Sequence, residues 1–392
     1  MKFPTWFALT ALAVGGLFAA VPERASAQSV PDILWRTNAH GGKIWSVAFS
    51  VDGAMLASGS EDRTARVWSV PAGELLTTVS TPHAWVISVA IQSLDNLLLT
   101  GGDDGTVRVW SLVTGSFLYG TSPNEDIAWS ITVSSNGGIA IGRSNSGIDL
   151  LVPQGSFPLE GHSRDVYSLA FSRDTQRLAS ASADGTARIW RTSDGAQLQV
   201  LTGHSILSTN EDDTVINPVW GVDISPDGTL LATSGGDGTV RLWQMAGGGQ
   251  VRVIPSPGAS TVRFSPDGRL LFTLNGGEIN IWIVRTGQLL ASYASVGASA
   301  LAVSPTKTFF AYGRGDGALF LARFPLWIDS ITQDSGRVVL HWQGGSGRYQ
   351  VQARRHMNQG RWHNLGASTR KTTFSHPAAS HFFYRVLSLP NQ

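Results

Sequence analysis

Residues 236–243 read GDGTVRLW, and near-copies of that phrase return along the chain: EDRTARVW at 61–68, DDGTVRVW at 103–110 and ADGTARIW at 183–190. The tryptophans that end them lie 42 residues apart (68 to 110), then 80 (110 to 190) and 53 (190 to 243), and a further Trp follows after 39 (243 to 282). Self-similarity at a fixed period of this length marks a repeat architecture, in which each unit buries its apolar face against its neighbours. Eighty is two periods, so a degenerate copy belongs between 110 and 190; IAWSITV at 127–133 with SGIDLL at 146–151 supplies it. A sixth copy runs through STVRFSPDG at 260–268 and GGEINIW at 276–282, and a seventh through ALAVSP at 300–305 and DGALFLA at 316–322.

Every copy has the same internal order. A first strand alternates (IWSVAFS 44–50, VYSLAFS 166–172, VWGVDIS 219–225), and a turn follows, in two copies Pro-Asp-Gly (226–228, 266–268). The second strand is small and apolar (MLASGS 55–60, RLASASA 177–183), Asp-Gly makes the next hairpin, and the third strand ends in Trp. The fourth strand varies (ELLTTV 74–79, QLQVL 197–201, QLLASY 288–293). Four short strands per period describe one propeller blade. The seventh copy stops after three strands near Arg323, and the lone strand predicted over 32–37 is placed to complete it, which would leave the ring without an open edge.

On these residues the stretch 29–323 resembles the WD-repeat (WD40) β-propeller family. The family pattern ends its third strand in Trp-Asp. Here Ser follows Trp68, Arg follows Trp190 and Gln follows Trp243, while the Asp of the hairpin turn is kept. The fold class expected is all-β: a seven-bladed β-propeller over 28–323, followed by a small antiparallel β-sandwich over 324–392.

Four sets of side chains recur at repeat spacing: His40, Ser58, Asp62 and Trp68; His83, Thr100, Asp104 and Trp110; His162, Ser180, Asp184 and Trp190; His204, Thr233, Asp237 and Trp243. Ser, His and Asp together invite a nucleophile reading. Fourfold recurrence argues against it, since a catalytic centre is not built in quadruplicate. A buried His needs both ring nitrogens placed, and Asp with Ser or Thr does so. The resemblance implies the same: these positions match the family's hydrogen-bonded structural tetrad. No catalytic residue, metal site or cofactor is expected. The chain has no Cys and shows no His-Glu-x-x-His helix, phosphate loop or nucleophile elbow. A propeller hydrolase with a metal in its channel is the least favoured alternative, because the first strands look small and apolar apart from Asp223.

Candidate binding residues come from aligning the first strands. The position four before the closing apolar residue is Trp45, Ile87, Trp129, Tyr167, Trp220, Ser260 and Ser299, with Trp85 two residues before Ile87. Trp and Tyr combine a large contact area with a polar tip and are enriched in binding hot spots. A protein or peptide partner is therefore expected on Trp45, Trp85, Trp129, Tyr167 and Trp220. Lys43, Glu61, Asp103 and Asp165 are positioned to set its charge. The 53-residue spacing marks an insertion, Ser205 to Pro218, holding Asn210, Glu211, Asp212 and Asp213. These lack the Gly-turned ligand spacing of a calcium loop and read as a solvated acidic loop.

The two ends differ from the repeats. Lys2, an apolar run from Trp6 to Val21, and Ala25-Ser26-Ala27 have the order of a secretory signal peptide, so residues 1–27 are expected to be removed from an exported protein, secreted or periplasmic. The run is shorter than the ~20 residues a spanning helix needs. After Phe324-Pro325, alternation returns (RVVLHW 337–342, RYQVQAR 348–354, RWHNLG 361–366, KTTFSH 371–376, FFYRVLSL 382–389). On Trp342, Tyr349, Trp362 and the Phe383–Val386 run this tail resembles a truncated fibronectin type III module. Residues 325–392 hold 8 Lys+Arg against 2 Asp+Glu, a formal +6, so the whole-chain charge of +1 hides −5 on the rest. The function expected is an exported, monomeric, non-enzymatic binding scaffold. The alternative is an envelope- or glycan-binding protein using the basic tail on an anionic polymer; nucleic acid is not an expected partner.

Overall fold

Among the described residues seven four-stranded sheets follow one another along the chain, six built from one copy of the repeat each and the seventh from the last copy with one strand from elsewhere. The computed structural model describes residues 9–14, 17–19, 30–81, 84–121, 126–204, 206–210, 213–294, 296–334, 337–344, 348–354, 363–365, 367–377 and 383–388. Among the described residues every regular element is a strand. Blade 1 comprises Ile44–Phe49, Met55–Ser60, Thr64–Ser69 and Leu75–Ser80. The inner strands of blades 2 to 7 are Val86–Gln92, Ala128–Val133, Val166–Phe171, Val219–Ile224, Ala259–Phe264 and Ala298–Val303. In blade 7 the fourth strand comes from the start of the chain: Asp32–Asn38 lies beside Ala318–Arg323. Leu34 and Trp35 of that strand pack on Trp68, Leu319 and Leu321, so the closing strand is held by apolar contact as well as by its ladder.

The sequence forms these blades for local reasons. Hairpin glycines such as Gly185 (φ 80°) and Gly238 (φ 74°) occupy the left-handed region that a tight reversal needs. Second strands are small because the next blade presses on them. A Cβ on Gly59 would stand 2.6 Å from Val86 of blade 2. The core is therefore a set of seams between blades. Ala57, Val67 and Val79 of blade 1 meet Val86, Val89 and Trp110 of blade 2, and the pattern repeats around the ring. The tryptophan that ends each strong repeat is buried in a seam, Trp190 at 1% exposure, which explains why the phrase keeps it.

Two compact units divide the chain: residues 34–321, and residues 1–33 with 322–392. The second unit contains a three-stranded sheet (Trp327–Asp334, Arg337–Gln343, Thr373–Pro377) and a five-stranded sheet. They share a core of Leu326, Val338, Leu340, Trp342, Tyr349, Val351 and Val386. Trp362 lies outside the described residues. The five-stranded sheet takes in part of the first residues. Leu9–Val14 pairs antiparallel with Phe383–Ser388, and Leu17–Ala19 pairs with Leu9–Val14. Part of the run read as a removable leader is thus laid down as sheet, because an uncharged apolar stretch serves an open strand edge as readily as it serves a leader. Ala25-Ser26-Ala27 lies outside the described residues.

The insertion is a hairpin rather than a loop: Ile206–Asn210 pairs with Asp213–Ile216, with Asn210 opposite Asp213. Ser205, Glu211 and Asp212 lie outside the described residues. No group of three or more His, Cys, Asp or Glu suited to a metal occurs among the described residues.

Candidate functional site: the channel and its aromatic rim

Inner strands of neighbouring blades face a central channel of about 720 Å³. An inner strand is a sheet edge, so every second residue turns its N–H and C=O toward the lumen. The turn bonds fix which: Ser50 N–H bonds Met55 O and Ser172 N–H bonds Arg177 O, so Val47, Phe49, Leu169 and Phe171 face out of the ladder. A belt of serines meets these amides. Ser46 Oγ accepts from Val89 N–H (3.2 Å), Ser88 from Ile131 (2.8 Å), Ser130 from Leu169 (3.2 Å) and Ser168 from Val222 (3.3 Å). Each bond ties one blade to the next. Gly221 holds the same place in blade 5, where a Cβ would stand 2.8 Å from Ser234 Oγ and 3.0 Å from Ser260 O. The belt therefore steps down, and Asp223 Oδ2 accepts from Phe264 N–H at 2.7 Å. Arg263 Nη1 donates to Val222 O (3.3 Å) and Val262 O (2.7 Å). Burial drives the Asp223 carboxyl up to about 6 despite the Arg263 charge and the Phe264 and Ile224 amides.

At the start of the inner strands the large rings gather. Trp129 meets Tyr167 edge-on (centroids 5.7 Å) and Tyr167 stacks on Trp220 (4.9 Å, 25°), so blades 3, 4 and 5 carry one continuous aromatic row. Trp129 Nε1 donates to Asp165 Oδ2 (3.0 Å), and Lys43 Nζ lies 3.2 Å from the centroid of the Trp45 ring. Burial lowers the Lys43 ammonium from its ordinary value, against the pull of Glu61. Trp45, Trp129, Tyr167 and Trp220 line the channel; Trp85 is not part of that wall and is 43% exposed, its backbone N–H bonded to Asp103 Oδ1 (2.8 Å). Blades 6 and 7 carry Ser260 and Ser299 in place of rings; Ser299 donates to Ile44 O (2.6 Å), joining blade 7 to blade 1.

The recurring His sets lie away from the channel wall, each within its own blade. His162 Nδ1 bonds Asp184 (2.8 Å) and Nε2 bonds Ser180 (2.8 Å), whose Oγ also accepts from Trp190 Nε1 (2.9 Å). His204 is held by Asp237 and Thr233, with Trp243 donating to Thr233, all at 2.9 Å. His40 is held by Asp62 and Ser58, and Trp68 donates to Ser58 at 3.3 Å. In blade 2, Trp110 donates to Thr100 (3.0 Å) and Asp104 pairs with Arg108 (2.6 Å); His83 lies outside the described residues. Burial lowers the imidazoles of His40 and His204, against the raising effect of their carboxylates. Burial alone would raise the Asp237 carboxyl, but hydrogen bonds from His204 and Thr239 hold it down at about 2. Two substitutes escape the sequence pattern. In blade 6, Asn275 stands in for the His–Asp pair: Trp282 donates to Thr273 (3.0 Å), Thr273 to Asn275 (2.6 Å) and Asn275 to Ser256 (2.7 Å). In blade 3, Arg143 pairs with Asp149 (2.8 Å) and reaches across to Gly105 O of blade 2 (3.1 Å).

The family model described as WD domain, G-beta repeat, matches residues 32–69, 73–111, 153–191 and 195–244. The chain carries WD40 repeats. Similar proteins include eukaryotic translation initiation factor 3 subunit I of Aspergillus terreus, 38% identical over 117 residues, which is 30% of this chain and 32% of that protein. The protein of the same name from Candida albicans is 33% identical over 117 residues, 30% of each chain. The chain thus spans about a third of the length of the curated relatives it matches. The printed name of these relatives is that of a subunit of a translation initiation factor. Export is corrected by the same finding: the relatives are named as subunits of a translation initiation factor, so the signal-peptide, secreted and periplasmic expectations fall, and with them the exported scaffold and the envelope or glycan binder. The fibronectin type III resemblance gains nothing here, since the matched repeats end at residue 244.

Proposed function

We propose that this chain is a docking platform that holds a protein partner on Trp45, Trp85, Trp129, Tyr167 and Trp220. The observation that carries the proposal is the unbroken row of Trp129, Tyr167 and Trp220 at the start of three neighbouring inner strands. Rings already locked against one another lose little side-chain freedom when a partner covers them, and exposed Trp and Tyr supply most of the energy of an interface. The relatives' name, a subunit, accords with work inside an assembly rather than as the expected monomer. The His, Ser or Thr, Asp and Trp sets serve the blades and not the partner, and the two C-terminal sheets are read as a small β-sandwich resembling a fibronectin type III module. Affinity purification of the tagged chain from its own cells, beside a variant with Trp45, Trp129 and Trp220 all changed to Ala, tests the rim. A defined partner recovered with the wild type and lost with the variant is expected; equal recovery removes the rim from the proposal.

A further inference from the structure

Blade 7 breaks the pattern of the His sets, and what it holds instead is charged. Tyr312 stands opposite Leu301 in the ladder as Ser58, Ser180 and Thr233 stand opposite Val47, Leu169 and Val222. Asp316 precedes the hairpin Gly317 as Asp184 and Asp237 precede Gly185 and Gly238. No His occurs between residues 294 and 323 to meet that aspartate. Its side chain is 55% exposed, where that of Asp184 is 6%, and it pairs with Arg314 Nη2 at 2.9 Å. Rings take the vacated place: Tyr312 lies flat on Phe320, centroids 4.6 Å apart and planes 2° from parallel.

Two guanidiniums meet this stack. Arg36, on the closing strand Asp32–Asn38, lies 5.6 Å from the centre of the Phe320 ring, and Arg314 lies 5.8 Å from it. One carboxylate serves the two cations. Arg314 has Asp316, while Arg36 is exposed and makes no ion pair among the described residues. Like charges gathered on one ring repel, and neutral side chains would cover an aromatic pair without that cost. Beside them Tyr312 is only 3% exposed, yet its hydroxyl has no hydrogen-bond partner among the described residues, a state that buried polar groups avoid. Burial pushes the Tyr312 phenol up to about 12, against the pull of the Arg314 and Arg36 charges, so it keeps its proton and can donate it.

We propose that Arg36, Arg314 and Tyr312 form an oxyanion site on the outer part of blade 7 that takes a phosphate group, either free or carried as an ester by a partner segment. Arg36 and Tyr312 stand on the strands either side of Phe320, so the donors flank its ring. Two guanidinium forks and a hydroxyl suit an anion with three oxygens to share among them. A carboxylate fits less well, because Asp316 already supplies one to Arg314 and leaves Arg36 unserved. Two guanidiniums and one carboxylate also leave a local charge of +1 for the ligand to offset. The site does not depend on the rim reading, since none of these residues lines the channel.

The test is calorimetric titration of the full chain with inorganic phosphate at constant ionic strength, chloride making up the balance, beside acetate. Saturable phosphate binding is expected, with acetate weaker by about tenfold or more, since it cannot serve the second guanidinium. Arg36→Gln and Arg314→Gln should each weaken phosphate by about tenfold or more, the range for losing one charged hydrogen bond. Tyr312→Phe keeps the stack on Phe320 and removes only the donor, so it should weaken phosphate by about threefold or more. Arg36 is exposed and makes no ion pair, so Arg36→Gln should melt with the wild type in chloride, and loss of binding is not loss of structure. Phosphate should then raise the Tm of the wild type and leave that of Arg36→Gln in place. No saturable phosphate binding, acetate binding as tightly as phosphate, or unchanged affinity in Arg36→Gln overturns the site. An end-blocked Gly-phosphoserine-Gly peptide that displaces phosphate as well as phosphate itself does assigns the group to a partner segment. Weaker displacement assigns it to a free phosphate, with the site intact in both cases.

Discussion

Replacing Asp184 by Ala isolates what one His set contributes. The Asp184 carboxylate accepts from His162 Nδ1 (2.8 Å), Ser163 N–H (3.2 Å), Thr186 N–H (2.9 Å) and Thr186 Oγ1 (2.7 Å). The His162 side chain is 0% exposed and that of Asp184 6%. Without the carboxylate, the exposed Ser163 amide recovers water, but the buried His162 Nδ1–H does not; a stranded buried donor costs about 1–3 kcal/mol. Adding the two Thr186 bonds at about 0.5–1 kcal/mol each, and subtracting the relief of unburying a charge, leaves about 3 kcal/mol. For a unit of this size that is a fall in Tm of roughly 6–12 °C. Scanning calorimetry and near-ultraviolet circular dichroism of the full chain measure it. Asp184→Asn keeps one acceptor and should lose about half as much. The sign with pH is fixed by the lowered Asp184 carboxyl. Burial opposes the lowering, and the His162 and Thr186 bonds and the His162 charge prevail, so the advantage of wild type over Asp184→Asn is complete above 3.8 and fades as pH falls further. A Tm for Asp184→Ala within about 2 °C of wild type would refute the reasoning, because a free buried imidazole nitrogen cannot be that cheap.

Two further substitutions should stabilise the chain. Thr175 sits at φ 61° in a turn where Gly53, Gly228 and Gly268 hold the same place at 68°, 70° and 71°; a β-branched residue is strained there, so Thr175→Gly should gain about 0.5–1 kcal/mol in urea unfolding, and a loss would count against the strain. Asp223→Asn should gain up to about 3 kcal/mol at pH 7, since the folded carboxyl titrates near 6 against an ordinary 3.8. An acid raised in the folded state penalises folding above that value, so the gain should shrink as pH falls from 6 toward 4; Tm against pH for both proteins checks it, and a gain independent of pH argues against the buried charge.

How much was legible depends on whether the signal was local. GDGTVRLW betrays its blade because the Asp-Gly hairpin, the small second strand and the closing Trp are all properties of adjacent residues. The seventh blade was readable from a missing strand. Asn275 and Arg143 escaped because a substitute partner need not resemble what it replaces; only Thr273 beside Asn275, nine residues before Trp282, hinted at it. Ser46, Ser88, Ser130 and Ser168 follow the first rim position in blades 1 to 4, yet their use lies between blades and leaves no mark within one repeat. The apolar run around Leu9–Val14 has the composition of a leader, and its pairing with Phe383–Ser388, about 370 residues away, leaves no mark on that composition.

The sequence by itself determined the unit: four strands, their turns, the buried Trp and the number of copies, because period and turn chemistry are set by near neighbours. The tertiary structure alone decided what the copies make together. Closure by Asp32–Asn38, the serine belt, the contiguity of Trp129, Tyr167 and Trp220, and the bond from Phe264 N–H to Asp223 all arise between residues about 40 or more apart in the chain. Such pairs meet only once the ring is built, since each blade presents its edge and its seam to the next and neither has a partner before then.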